Sequence, residues 1–570
     1  MKKKNKVLIP ALGVIIVILV IIIGYNIKTN MPSKKHMSLN RYYNAQAGRI
    51  SVIMQDSLYE EKGLYQDGHV YLDIDTVKKY INSRFYWDSN ENLLLYTTST
   101  NVISVELDSS DYYINKSKAA EDYKIVTLAD NKAYIALDFV KNYSAVEYEK
   151  FDKPDRVVVT YRFNEKENKV KAGEDTQLRY KSDIKSDIVS DVKKDDELLL
   201  LEDEDSDTGF CKAMTKDGVI GYIKAKKLGD KFEYTPSTDH KDEVYSHILL
   251  DEKVNLVWHQ VTNSAANENV VSLLSGTKGV NVISPTWFKT VDNQGGIKSL
   301  ADYSYVEKAH AAGVQVWGLC DDFDPDMKIG TVLGTTNSRQ KLEKNLIAEA
   351  IKYSLDGINV DFENVKKDSG EDFIQFIREL GIMCRNNGII LSIDDTPPAS
   401  YSEYYNRTEQ AAVADYVITM AYDEYYAGSE EAGPVSSLTY VQDATTNVLK
   451  QVPKEQAIIG LPFYSRIWSE KTKNGTVSLS SEAYSMPYVE EVVKDAKAEI
   501  TWDDERGLDY AEYKSGKSVC KVWIENEKSL EKKLDAVAAS DSAGVAFWKL
   551  GMEKTSVWNT VKKYLSDAGR

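Results

Sequence analysis

Asp356-Gly357-Ile358-Asn359-Val360-Asp361-Phe362-Glu363 alternates polar and apolar side chains directly after Glu349–Ser354, which reads as the end of a helix. The alternation predicts a strand, whose side chains point to opposite faces in turn. Asn359, Asp361 and Glu363 then share one face, and Ile358, Val360 and Phe362 share the other. The apolar set fits a strand covered by helices. The polar set fits the interior or mouth of a closed barrel. Asp361 and Glu363 stand roughly 6–7 Å apart at Cα, from a rise of ~3.3 Å per residue. At that range one carboxylate raises the pKa of the other, which keeps an acid protonated near neutral pH. Taken alone, the run fits equally a strand ending at the surface with solvated acids.

On both sides of this run, strand and helix patterns alternate. Val254–Val261, Val280–Trp287, Val314–Cys320, Gly357–Glu363, Ile389–Asp394, Tyr416–Tyr422, Ala457–Tyr464 and Val545–Leu550 count as eight strands. Helical stretches such as Lys341–Tyr353 and Asp372–Asn386 lie between them. Eight such units predict a (β/α)8 TIM barrel over residues 245–570, with an insertion at Glu470–Trp523 between strands seven and eight. Chemistry in that fold gathers at the C-terminal strand ends, where Glu363, Asp394, Tyr422 and Trp548 fall.

Four motifs in chain order carry a resemblance. Asp356, Asp361 and Glu363 match D-x-x-D-x-D-x-E, with Asn359 where the second Asp is usual. Met420-Ala421-Tyr422-Asp423 looks like M-x-Y-D, and Gly460 to Arg466 looks like G-x-P-x-Y-x-R. Gly544-Val545-Ala546-Phe547-Trp548 looks like a closing strand with a floor tryptophan. Together they resemble glycoside hydrolase family 18. Asn359, Thr286-Trp287-Phe288 and Thr501-Trp502-Asp503-Asp504 make the chain similar to its branch containing spore cortex-lytic N-acetylglucosaminidases.

The resemblance implies a retaining hydrolysis of β-1,4 N-acetylglucosamine linkages, in peptidoglycan or a chitin-like glycan, assisted by the substrate's own acetamido group. No cofactor is called for. It implies Glu363 as general acid/base, Asp361 polarising the acetamido N–H, and Tyr422 donating to the acetamido carbonyl. Asp423 is expected to fix the sugar and Trp548 to stack under it. Asn359, Met420, Tyr464 and Arg466 complete the substrate-binding set, with Trp287 and Trp317 as outer candidates whose alternative is core packing. His259 reads as packing. Asn359 is expected to hydrogen-bond Asp361, although an amide cannot take up its proton. A catalytically silent glycan-binding protein is the competing reading, and a surface scaffold the third.

The rest of the 570 residues suggests several domains, and 42% hydrophobic residues suffices for real cores. A net charge of −17 argues against a nucleic-acid partner. Residues 1–6 form a lysine-rich tail, read as cytoplasmic, and Val7–Tyr25 is an uncharged apolar run long enough to span a bilayer. No A-x-A-like cleavage site follows, so a single-pass anchor in the cell membrane is expected, with the catalytic part outside and facing the cell wall. Residues 26–46 read as a linker. Within 47–165, Tyr71, Asp75, Val77, Lys78 and Tyr80 recur as Tyr134, Asp138, Val140, Lys141 and Tyr143, an offset of 63. This predicts a duplicated α+β module that resembles the small domain preceding copper amine oxidases; no His/Cys cluster accompanies it, so no metal is expected. Residues 172–231 alternate as short strands and resemble a bacterial Src-homology-three-like domain, a small all-β barrel. Residues 232–244 read as a second linker. The four cysteines are scattered without a C-x-x-C pair, which leaves open one Cys320–Cys384 pairing.

Overall fold

The structure is a computed structural model that describes residues 5–473 and 476–568, so Met1 to Lys4 of the expected tail lie outside the described residues. The chain divides into two compact units, one built from residues up to Asp242 and one from Glu243 onward, with 88–92 and 97–102 counted in the second.

The first unit begins with a single helix, Asn5–Asn30, of 26 residues. At ~1.5 Å per residue it spans roughly 39 Å, more than the ~30 Å hydrocarbon core of a bilayer. Its side chains from Val14 to Ile23 are exposed. It is long and apolar enough to cross a membrane. The 63-residue repeat appears as two strands, His69–Asp73 and Lys132–Ala136, each turning directly into a short helix, Ile74–Tyr80 or Leu137–Lys141. The two repeats pair with each other, Tyr71 opposite Ala136 and Tyr134 opposite Asp73. Asp73 caps the first helix by accepting from the Thr76 amide at 3.0 Å; Ala136, at the same place in the second copy, offers no such cap. Both strands lie in a seven-stranded sheet whose core also takes Leu94, Ile103 and Val105 of a five-stranded meander. Residues Glu167–Tyr234 form a second seven-stranded sheet with its own core around Leu178, Ala213 and Ile223. Gly218, at a φ of +83°, closes one of its hairpins at the expected Asp217-Gly218 turn.

In the second unit eight parallel strands close into a barrel: β1 (Val254–His259), β2 (Val282–Pro285), β3 (Gln315–Asp321), β4 (Gly357–Asp361), β5 (Ile390–Asp395), β6 (Tyr416–Met420), β7 (Ala457–Pro462) and β8 (Gly544–Trp548). Closure comes from β1 pairing with β8 and β2 pairing with β3. Both faces of every strand are buried, which explains their apolar runs. Val257, Ile283, Val316, Val360, Val417 and Ile459 face the helices, and Leu256, Val282, Trp317, Ile418 and Ile458 fill the barrel.

The expected β2 is too long. It ends at Pro285, and Phe288–Thr290 departs to form a hairpin with Ile297–Ser299 on the end of β3. The insertion begins at Tyr464 rather than Glu470, because Tyr464 already pairs with Ser485 in a five-stranded antiparallel sheet that runs to Ile524. Cys320 and Cys384 are free thiols packed in the strand–helix layer, so the pairing left open by the sequence is not made.

Candidate active site

The site is built at the C-terminal end of β4. Gly357, Asn359 and Asp361 point into the barrel, because Ile358 and Val360 are taken by the helix layer. Gly357 is required there: a Cβ would come within 2.7 Å of the Trp317 ring. The strand stops at Asp361, two residues earlier than the alternation suggests. Beyond it the amides of Glu363 and Asn364 donate to the Asp322 carboxylate, at 3.1 and 2.9 Å, instead of to a strand neighbour. Asp322 also accepts from Asn364 Nδ2 at 3.1 Å. Its carboxylate therefore fixes where Glu363 leaves the sheet.

Glu363 opens onto the barrel mouth, and its carboxyl is pushed up to about 7, first by the loss of water around it and then by the charges of Asp322 and Asp423. Asp361 lies one layer deeper, 5% exposed, with Oδ1 lacking a hydrogen-bond partner among the described residues. Burial, then the charges of Asp394 and Glu363, hold it well above the usual carboxylate range.

Asn359, expected to touch substrate and Asp361, does neither. It is 0% exposed, and its four hydrogen-bonding positions are filled from three other strands. Its Oδ1 accepts from Trp258 Nε1 and Ser284 Oγ, each at 3.0 Å. Its Nδ2 donates to Ser392 Oγ at 3.0 Å and to Asp394 Oδ1 at 2.7 Å. It braces the barrel beneath the site.

Facing β4 across the mouth, Met420 ends β6 and is buried. Tyr422 follows it, half-buried, its phenol held protonated by burial and by the charges of Asp361 and Asp394. Asp423 is exposed in a left-handed conformation, φ +55°, and accepts from the Tyr464 hydroxyl at 2.6 Å. Aromatic rings continue round the wall: Trp548 to Trp258 at 6.0 Å, Trp258 to Tyr422 at 6.3 Å and Tyr422 to Tyr464 at 6.4 Å between centroids. Trp548 is half-buried at the end of β8 and leaves part of its ring open. Arg466, on the first insertion strand, donates to Ser481 Oγ at 3.2 Å and keeps its Nε buried without a hydrogen-bond partner among the described residues.

Two expected aromatics lie elsewhere. Trp287 is 1% exposed in the strand–helix layer, with its indole N–H donating to Asn267 at 2.9 Å. Trp317 stacks on Tyr416, centroids 5.5 Å apart, inside the barrel. Both are packing residues, out of reach of a glycan. His259 stacks on Tyr305 and hydrogen-bonds its hydroxyl at 2.9 Å, and burial pulls its pKa down to about 4. Sequence reasoning missed Asp322 and Trp258. The signal for Asp322 was the acidic pair Asp321-Asp322 at a strand end, and for Trp258 a tryptophan on the inward parity of β1.

The arrangement places a protonatable carboxyl at the mouth above a buried carboxyl with a free oxygen, with a phenol and a tryptophan face alongside. This set suits proton transfer to a leaving oxygen beside a sugar ring.

Residues 325–553 match Glycosyl hydrolases family 18, and residues 53–178 match the Copper amine oxidase N-terminal domain. The chain is 28% identical over 252 residues to the uncharacterized glycosylase YvbX of Bacillus subtilis, covering 42% of this chain and 70% of that one. It is 23% identical over 247 residues to the cortical fragment-lytic enzyme of Bacillus subtilis, covering 41% of this chain and 56% of the enzyme. The crystal structure of the spore cortex-lytic enzyme SleL from Bacillus cereus shares the barrel fold, with a TM-score of 0.50 and 17% identity over 58% of this chain and 77% of that one. The chain therefore carries a glycosyl hydrolases family 18 domain, a glycosidase domain, within its carboxy-terminal barrel, and a copper-amine-oxidase-N-terminal-like domain before it.

Proposed function

We propose that this glycosidase cleaves β-1,4 N-acetylglucosamine linkages in peptidoglycan with retention, using the substrate's acetamido oxygen as nucleophile, while its amino-terminal helix holds it to the membrane. The observation that carries the chemistry is the stacking of two unlike carboxyls on one strand end. Glu363 is accessible and titrates near neutrality, so it is available both to protonate a leaving oxygen and to deprotonate water. Asp361 is buried with one oxygen free, which suits an acceptor for the acetamido N–H rather than a base in contact with water. Tyr422 supplies a phenol for the acetamido oxygen, Asp423 and Tyr464 fix the sugar, Met420 and Arg466 border it, and the open part of the Trp548 ring carries its apolar face.

Peptidoglycan is favoured over chitin because one similar Bacillus subtilis protein is described as a cortical fragment-lytic enzyme, and because an apolar helix of membrane-spanning length suits an enzyme working on the wall beside its own membrane. The test incubates the whole chain with purified peptidoglycan and with chitin oligomers and identifies the new reducing ends. N-acetylglucosamine ends released from peptidoglycan are the expected result. Muramic ends, or release from chitin alone, contradict the assignment.

A further inference from the structure

Asp394 stands beside Asp361, and the reading above gives it no task. β4 and β5 run parallel in register, Asn359 opposite Ser392 and Val360 opposite Ile393. The next residues, Asp361 and Asp394, are therefore neighbours on the inner face at the ~4.8 Å spacing between strands. Both side chains are buried. Asp394 Oδ1 accepts from Asn359, while Asp361 Oδ1 has no hydrogen-bond partner among the described residues. Arg407 is held at 3.3 Å by Asp395, which points to the other side of β5. Among the described residues, the remaining titratable groups that face the pair are Asp321 at the end of β3, Asp322 just past it, Glu363 past β4 and Tyr422 past β6, none of them a cation. Two adjacent carboxylates in a dry site do not both ionise near neutral pH, since each anion loses hydration and repels the other.

We propose that Asp361 and Asp394 share one proton, and that Asp394 is the positioning residue that lets Asp361 change charge during the reaction. This rests on the acetamido-assisted reading. In the free site the pair carries one proton and a net charge of −1. As the acetamido oxygen bonds to the anomeric carbon and the bond to the leaving oxygen breaks, positive charge develops on the amide. Asp361 must then be anionic to hold the amide N–H, so its proton passes to Asp394 and the pair remains at −1. Glu363 gives its own proton to the leaving oxygen and regains one from the attacking water, after which the Asp361–Asp394 proton returns. Asn359 cannot act in this way, because an amide takes up no proton and all its positions are filled.

The test uses the whole chain, with Asp361→Asn, Asp394→Asn and the double variant. The Asp394→Asn amide oxygen still accepts from Asn359, so the fold is retained. Urea unfolding is measured at pH 5 and pH 8. A carboxyl whose folded pKa is raised binds its proton more tightly in the native state, so wild-type stability falls as pH rises over this range. A shared proton predicts that each single substitution removes the same pH-dependent loss and that the double removes no more. Independent effects that add in the double variant overturn the proposal. With soluble peptidoglycan fragments as substrate, Asp394→Asn is expected to lower kcat ~10-fold or more with KM little changed, and to move the pH–rate profile. A wild-type kcat and profile, in a preparation where Glu363→Gln abolishes turnover, overturns the shared proton and leaves the glycosidase reading standing. Full turnover in Glu363→Gln overturns the glycosidase reading instead, and the unfolding series still decides whether the proton is shared.

Discussion

Asn359 ties Trp258, Ser284, Ser392 and Asp394 together at the centre of the barrel. Asn359→Asp replaces two donated hydrogen bonds with a carboxylate facing Asp394, an uncompensated buried charge. The variant is expected to lose at least ~2 kcal/mol of stability at neutral pH, read by urea unfolding. Wild-type stability would show that the barrel centre is wetter or looser than described. Asp322 acts on Glu363 through the backbone, so Asp322→Ala is expected to reduce kcat by ~10²-fold while circular dichroism stays unchanged, since a misplaced acid forfeits its geometry. Turnover within a few-fold of wild type would place the anchoring of Glu363 elsewhere. Glu363 at about 7 sets the sign of the pH dependence: the protonated form is the acid, so kcat/KM should fall as pH rises through about 7. A flat profile from pH 6 to 8 would show that Glu363 is not the titrating acid. The placement of Asp361, Glu363 and Tyr422 at the C-terminal strand ends was legible because motif spacing and the eightfold strand pattern agree on it. The partners of Asn359 were not, because they come from three other strands and only closure of the barrel brings them together.

The eight strands were legible because a strand buried on both faces must be apolar throughout. Their ends were not. The apolar run Val280–Trp287 continues past Pro285, but proline cannot donate to the ladder, so the chain bends and Trp287 turns into the helix layer. The insertion sheet was also hidden, since Tyr464 and Arg466 belong to a motif that runs on in sequence from β7 yet already pair with Ser485 and Ala483. Gly357 tests the packing of β4 on β3. Gly357→Ala forces a methyl against Trp317 and should cost ~1–3 kcal/mol, measured as a lowered unfolding midpoint. A neutral effect would mean that the Trp317 ring moves freely, contrary to its stacking on Tyr416.

For the whole chain, composition and the 63-residue offset foreshadowed a helix, a duplicated module and a barrel, because each leaves a pattern longer than any local ambiguity. The helix Asn5–Asn30 is a proposed anchor, and its prediction concerns partition. Full-length protein should stay with membranes after alkaline washing and retain residues 1–25, whereas a chain starting at residue 31 should be released. A mature amino terminus near residue 30 in the medium would contradict the anchor.

The central claim is that the substrate supplies its own nucleophile. The measurement compares turnover of two aryl β-glycosides that differ only in the 2-substituent, acetamido against hydroxyl, by the whole chain. The account predicts hydrolysis of the acetamido sugar alone, because the missing group acts in the transition state and its loss appears in kcat rather than in binding. Hydrolysis of the plain glucoside at a comparable rate, or a glycosyl ester trapped on any carboxylate of the site, would contradict it.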